Sequence, residues 1–270
     1  MIKLISIDLD GTLLNSNSEI DQENIKAVKY AQKKGCQIVL CTGRPYSLTK
    51  SFADQLGVQS GYVVTNNGAN IQNLSGETIG RFALGREDIQ HWLSFCKRLD
   101  VPLNVVDSRH IYTIEPAWSP HPSLYYNLPT SRIPKIIHQE DLLGDVSFDK
   151  VVICQKEELL DKVESQLEPS DVKTYHIVRS EPILLEILNP KANKLQGLRC
   201  VLDQVQIDLS EVMAIGDQAN DLELLKASGV SVAMENAIDM VKESADYTTA
   251  SNDQSGVAQA IYHYLEDKNK

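Results

Sequence analysis

Through the first ninety residues, short apolar runs alternate with segments whose apolar positions recur every three or four residues. Residues 2–7 form the first run and end at Asp8; residues 36–41 and 62–65 form the next two. Apolar-rich runs of this length between turn signals predict buried strands. Between the first two, Asp21 stands as a helix N-cap, with Ile20 and Ile25 spaced for a hydrophobic staple. Val28 and Ala31 continue that face, and Gly35 supplies the stop. Pro45 is placed to open a second helix, along which Leu48, Phe52 and Leu56 recur every four residues before Gly57. Asn66-Asn67-Gly68 then marks a turn, and two short strands around Ser75-Gly76 predict a hairpin. Strand–helix–strand repetition of this kind implies an α/β fold built on a Rossmann-like, doubly wound parallel sheet.

From about residue 84 the texture changes. Prolines cluster between residues 116 and 134, and short strands alternate with helices predicted over 87–99 and 156–167, where Trp92 and Phe95 face a core. After residue 188 the first rhythm resumes, with a helix over 194–205, strands over 211–215 and 229–233, and a last helix over 256–265. The expected organisation is a core of residues 1–83 and 189–270, interrupted by an inserted α+β domain over 84–188.

Composition narrows the class. Of 270 residues, 42% are hydrophobic, enough for a large core in one or two domains. The longest apolar runs, such as residues 38–41 and 151–154, are far short of the ~20 residues a membrane helix needs. The chain opens directly into strand-like sequence with no export signal, and its five cysteines are scattered. A cytoplasmic protein with reduced thiols is expected, with no membrane partner. Net charge is −11, and between Asp203 and Asp253 there are 11 acidic residues against 2 basic. Nucleic acid is therefore not an expected partner. Oligomeric state leaves no mark in the pattern.

The candidate chemistry sits where the strands end. Asp8 and Asp10, in Asp8-Leu9-Asp10-Gly11-Thr12, are two apart on an extended segment and can face one site. Open α/β sheets bind their ligands at this carboxyl edge. Gly216-Asp217-Gln218-Ala219-Asn220-Asp221 follows another apolar strand. If the two strands are neighbours, Asp8, Asp10 and Asp217 converge. Two carboxylates ~5 Å apart repel by roughly 3 kcal/mol at an effective dielectric of 20. Such a cluster calls for a cation or a protonated carboxyl, and oxygen donors without nearby His or Cys favour Mg²⁺. Thr42 and Gly43 offer a hydroxyl and backbone N–H groups at a helix start, a fit for phosphate. Lys194 adds an ammonium where the chain re-enters the core.

With these residues in place, the sequence resembles the haloacid dehalogenase-like (HAD) hydrolases, and within them the Cof-type phosphatases, which carry a large α/β cap between the second and third motifs. All four motifs match, and the closing stretch Asp246-Tyr247-Thr248 through Gly256-Val257-Ala258 is similar to that subfamily as well. The resemblance implies that Asp8 is nucleophile and metal ligand. It makes Asp10 the general acid/base, binding metal through its backbone carbonyl, and Asp217 the third protein ligand, with Asp221 supporting the metal shell. Leu9 (through its backbone), Thr42, Gly43, Lys194 and Asn220 would hold phosphate. One departure stands out: the family lysine usually follows serine and precedes glycine, whereas this chain has Ala192-Asn193-Lys194-Leu195.

The implied activity is Mg²⁺-dependent hydrolysis of a small phosphorylated metabolite through an aspartyl-phosphate, with sugar phosphates the default substrates by resemblance. Nucleotides, flavin mononucleotide and pyridoxal phosphate stay open. So do a sugar-phosphate phosphomutase on the same core and a non-catalytic phosphate-binding regulator. A signalling receiver domain fits poorly, since it carries adjacent acids at the first strand rather than Asp-x-Asp. The inserted domain should read the leaving group. Candidates there are Arg109, His110, Tyr112, Trp118, His121, Tyr125, Tyr126, Arg132, Arg179 and, foremost, Glu186 on the strand leading back to Lys194.

Overall fold

The structure, a computed structural model, describes residues 1–115, 117–127 and 134–266. It divides into two units, Met1–Gly80 with Lys194–Lys270, and Arg81–Asn193. The chain thus passes between units at 80/81 and 193/194, where the sequence suggests 83/84 and 188/189.

The first unit begins with β1 (Leu4–Ile7), α1 (Gln22–Lys33), β2 (Gln37–Cys41), α2 (Tyr46–Gln55) and β3 (Tyr62–Thr65), followed by β4 (Asn70–Asn73) and β5 (Thr78–Arg81). The inserted unit carries α3 (Arg86–Arg98), β6 (Asn104–Val106), β7 (Ile111–Glu115), β8 (Lys135–His138) and β9 (Lys150–Cys154). It continues through α4 (Glu157–Glu164), α5 (Pro169–Thr174), β10 (His176–Glu181) and β11 (Leu184–Leu188). The first unit then resumes with α6 (Lys194–Val205), β12 (Val212–Gly216), α7 (Leu222–Ala227) and β13 (Val230–Ala233). It closes with α8 (Asp239–Ser244), β14 (Tyr247–Thr248) and α9 (Gly256–Leu265).

The core sheet runs β14-β13-β12-β1-β2-β3-β4-β5, and all pairs from β14 to β3 are parallel. β1, β2 and β12 are rich in apolar residues and almost wholly buried, because a parallel sheet is covered on both faces. From β1 the chain steps outward to β2 and β3, and it later returns on the other side as β12, β13 and β14. The sequence direction therefore reverses between β1 and β12, the point at which open α/β sheets leave a crevice outside their carboxyl ends. Right-handed crossovers in opposite directions also send α1 and α7 to opposite faces. Consistent with this, α1 packs on α9 while α7 packs on α6 and α8.

Two helices differ in detail from their periodicity. In α1 the buried face includes Asn24 as well as Ala27, Val28 and Ala31. Asn24 is tolerated because its carbonyl accepts from the Ala258 N–H at 2.9 Å. In α2 the buried positions are Thr49 and Ala53, while Leu48 and Phe52 are only half-buried. Thr49 can face inward because its hydroxyl donates to the Pro45 carbonyl at 3.0 Å. That rotation brings Phe52 against the guanidinium of Arg44, 5.4 Å from ring centre. The cysteines are unpaired thiols, four of them buried.

The sheet of the inserted unit runs β10-β11-β9-β6-β7-β8 and is antiparallel except for β7 with β8. Its alternation sorts side chains by face. Leu185, Ile187, Val151 and Ile153 join Trp92 and Phe95 of α3 and Leu160 of α4 in one core. Leu184, Val152 and Cys154 fall in a second cluster. Glu186 shares the parity of Leu184 and Lys150 that of Val152, so both point away from α3 and α4. There they form a buried ion pair, 2% and 4% exposed. Removing one member of a buried pair leaves the other charge uncompensated, at about 3–5 kcal/mol. Glu186→Leu should lower unfolding free energy by about that amount in denaturant titrations, and Glu186→Leu with Lys150→Met should recover most of it. Equal losses in both variants would contradict an energetically important pair.

Candidate active site

Each candidate core residue follows a strand or opens a helix at the carboxyl edge of the first unit's sheet. Asp8 and Asp217 are the residues immediately after β1 and β12, on either side of the reversal point. The Asp8 N–H donates to the Ile215 carbonyl at 3.1 Å, continuing the ladder one residue further. Thr42 follows β2, and Lys194 is the first residue of α6.

Carboxylate oxygens of Asp8, Asp217 and Asp221 lie within 4.8 Å of one another, and all three residues are buried. The Lys194 ammonium bridges two of them, donating to Asp8 Oδ1 at 2.7 Å and Asp221 Oδ1 at 2.6 Å. The second oxygen of Asp221 accepts from the backbone N–H groups of Asp217 and Gln218, both at 3.1 Å. Thr12 donates its hydroxyl to Asp217 Oδ1 at 2.7 Å. Gly11, at φ +76°, passes so close that a Cβ there would lie 2.4 Å from Asp217 Oδ2. Only glycine fits both the left-handed backbone and the close approach.

Burial pushes the Asp8 carboxyl well above the usual range; Lys194 opposes the shift, and Asp221 and Asp217 add to it. Asp217 is pushed up to about 6, first by burial and then by Asp221. Burial also disfavours the Lys194 charge, yet Asp221 and Asp8 more than offset it and hold the ammonium. With all three carboxylates ionised and one ammonium among them, the cluster carries a charge of −2. That charge and an all-oxygen donor set fit a hard divalent cation. The trio that could hold it is Asp8, Asp217 and Asp221.

Asp10 stands differently. Its carboxylate is not among the three clustered groups; the Arg44 guanidinium holds it, Nε on Oδ2 at 2.7 Å and Nη2 on Oδ1 at 2.5 Å. A bidentate fork supplies the compensating charge for Asp10 that a cation was expected to supply. Arg44 stands next in the chain to Thr42-Gly43, and its N–H donates to the Thr42 hydroxyl oxygen at 3.1 Å. Thr42 is fully buried. The Leu9 carbonyl accepts from the Thr12 and Leu14 N–H groups, which fixes the turn after β1. Asn220 donates from Nδ2 to Asn67 Oδ1 at 3.0 Å. Despite the altered residues around it, Lys194 reaches the cluster. Its helix seats closely, since a Cβ on Gly197 would come within 2.5 Å of Val64 Cγ1.

Three residues at this edge, Thr12, Arg44 and Asn67, belong to segments that the sequence marks, but without side-chain roles. Their signal is positional, because each lies within five residues of a strand end at the ligand edge. Their partners are distant in sequence and appear only in three dimensions.

In the inserted unit, most candidate readers have structural partners. Tyr112 donates to Asp107 at 3.0 Å and meets His110 Nδ1 at 3.1 Å, and the Arg109 N–H donates to Asp107. Trp118 donates its indole N–H to the Val101 carbonyl. Arg179 binds Asp161 and Glu164, and Tyr125 is buried. Glu186 is committed to Lys150 rather than free. Trp118, His121 and Tyr126 line a cleft of about 110 Å³ within this unit. Arg132 lies outside the described residues.

Comparison with known proteins agrees in kind. Residues 5–261 match the family described as haloacid dehalogenase-like hydrolase. A putative phosphatase of Bacillus subtilis (strain 168), YxeH, is 36% identical over 270 residues, covering 98% of this chain and 99% of the relative. YcsE of the same organism, a 5-amino-6-(5-phospho-D-ribitylamino)uracil phosphatase, is 32% identical, covering 98% and 96%. Among solved structures, the HAD subclass IIB sugar phosphatase BT4131 superposes with a TM-score of 0.82 at 25% identity, covering 97% of this chain and 98% of that one. Among the described residues, no helix is long and apolar enough to cross a membrane.

The raised carboxyls set a pH dependence. A group whose folded pKa lies above its unfolded value stabilises below the unfolded value, and loses that contribution as pH rises through the folded one. For Asp217 that window runs from about 4 to about 6, so metal-free protein loses this contribution as pH climbs through it. A cation binds the ionised form and stabilises by mass action. Millimolar Mg²⁺ should therefore raise the melting midpoint by several degrees at pH 7.5 and by much less at pH 5. An equal rise at both pH values would contradict the titration of this cluster.

Proposed function

Because the chain belongs to the haloacid dehalogenase-like hydrolases, and is with them a phosphoric monoester hydrolase, we propose that it hydrolyses small phosphorylated polyols through an Asp8-phosphate, with Mg²⁺ as cofactor. The observation that carries this is the buried trio Asp8, Asp217 and Asp221 bridged by Lys194 at the point where the sheet's direction reverses.

In this proposal Asp8 attacks phosphorus in line, the P–O bond to the leaving group breaks, and the phosphoryl group passes to the carboxylate. Mg²⁺, held by Asp8, the Asp10 carbonyl and Asp217 with Asp221 behind them, would offset repulsion between the attacking carboxylate and the anionic ester. Lys194, the Thr42 hydroxyl, Asn220 and the N–H groups at Leu9 and Gly43 bind the equatorial oxygens. Asp10 gives a proton to the leaving alkoxide, then takes one from the water that cleaves the aspartyl-phosphate and regenerates Asp8. The Arg44 fork orients that carboxylate.

The substrate class draws on the relatives. One acts on a phosphoribityl-aminouracil and another on sugar phosphates; their shared chemistry is a phosphate on a hydroxylated carbon chain. We assign this chain the same class, with hexose and pentose phosphates first and phosphoribityl-aminouracil beside them.

Phosphate release from such a panel, with Mg²⁺ or EDTA, should be metal-dependent in the wild type and fall to background in Asp8→Asn. Asp10→Asn should slow turnover by about 10²–10⁴ while leaving Mg²⁺ binding largely intact. Activity surviving in Asp8→Asn, or near-normal turnover in Asp10→Asn, would overturn the corresponding assignment.

A further inference from the structure

The turn after β3 is tied to the other loops at the ligand edge by more than chain connectivity. Asn66 and Asn67 both adopt the left-handed region, at φ 50° and 54°. That is uncommon for non-glycine residues, and two in succession persist only where the surroundings fix them. Both side chains are fully buried. The Asn66 N–H donates to the Arg44 carbonyl and the Asn67 N–H to the Thr42 carbonyl, each at 3.0 Å. The adjoining Gly68 lies under α6, where a Cβ on Gly197 would stand 3.0 Å from its α-carbon. The turn therefore braces the loop after β2 and the helix that begins with Lys194.

The Asn67 side chain adds a third tie. Its Oδ1 accepts from Asn220 Nδ2 across the sheet edge at 3.0 Å. Its carboxamide also lies against Gly43, where a Cβ would meet Asn67 Oδ1 at 3.2 Å and Nδ2 at 3.4 Å. Asn220 Oδ1 is buried with no hydrogen-bond partner, so its own carbonyl does not choose the orientation of that amide. An acceptor at Asn67 does, because only the NH₂ end can face it. One N–H is then used on Asn67, and the other remains to be offered to an anion.

We infer that Asn67 is a positioning residue of the phosphate subsite, fixing the Asn220 amide with its nitrogen available and seating Gly43 against its carboxamide. This rests on the assignment of Asn220 and Gly43 to phosphate made above. Asn67 acts through those two groups, and left-handed geometry explains why an asparagine stands there, since its short amide tolerates that conformation and still reaches.

The test uses the full-length protein with Mg²⁺ and inorganic phosphate as probe, measured by calorimetry so that turnover is not required. Asn67→Gly keeps the left-handed backbone and deletes only the amide. It should weaken phosphate binding about three- to tenfold, in the range of one orienting hydrogen bond, and raise KM more than it lowers kcat. Asn220→Ala should give a comparable loss, and adding Asn67→Gly to it should cost less than a further twofold, because the second residue acts through the first. Asn67→Asp retains the acceptor but lays a carboxylate against Gly43, so it should weaken phosphate more than Asn67→Gly does. Unchanged phosphate affinity in Asn67→Gly or Asn67→Asp, multiplying losses in the double variant, or no phosphate binding by the wild type would overturn the inference. Wild type that binds phosphate yet hydrolyses no ester would sink the proposed mechanism instead, and leave the role of Asn67 to be read from binding alone.

Discussion

Three carboxylates and one ammonium buried together at the end of two parallel strands form the constraint around which the first unit is arranged. Charge of that density is costly in a protein interior, and the surrounding structure shows how it is held. Lys194 arrives as the first residue of a helix and satisfies Asp8 and Asp221 at once. Backbone N–H groups at the start of the turn after β12 take the other Asp221 oxygen. Thr12 takes Asp217, and Gly11 leaves the room for it. What none of these supplies is the remaining two units of positive charge. Burial first, and then repulsion from the neighbouring carboxylates, raises the proton affinities of Asp8 and Asp217 in metal-free protein. A carboxyl kept protonated is a poor nucleophile, so under the proposed mechanism a cation that discharged the cluster would also ready Asp8 for attack.

Asp10 shows how the same edge keeps two acids apart in role. It follows Asp8 by two residues, yet its charge is met by Arg44 rather than by Lys194. Arg44 in turn rests on Phe52, which α2 presents because Thr49 has taken the buried position instead. A packing choice on one helix thereby bears on the orientation of the group assigned to proton transfer. Environment, rather than residue type, separates the two carboxylates to which the proposal gives the nucleophile and acid/base roles.

Much of this was legible in the sequence. β1, β2, β3 and β12 were readable because a parallel sheet buried on both faces favours apolar-rich runs, and the residues just beyond them fall at the ligand edge by topology. Lys194 was readable as a motif residue although its neighbours depart from the usual pattern; helix placement rather than loop sequence delivers the ammonium. Periodicity misjudged Asn24 and Thr49, since one hydrogen bond to a neighbouring main chain lets a polar residue occupy an apolar stripe. Arg44 and Asn67 stand in marked turns, but no role is legible for either because their partners, Asp10 and Asn220, are 34 and 153 residues away. Glu186 reads from sequence as a polar residue available on a strand, but alternation places it inside a sheet face beside Lys150. No local pattern announces a partner 36 positions away.

The central claim is that the cluster's −2 charge makes one divalent cation site. Calorimetric titration of Mg²⁺ at pH 7.5 into the wild type and Asp217→Asn tests it most directly. The account predicts one ion per wild-type chain, with proton release, and loss of that binding in the variant, whose cluster carries only −1. Equal stoichiometry and affinity in the two proteins would contradict it.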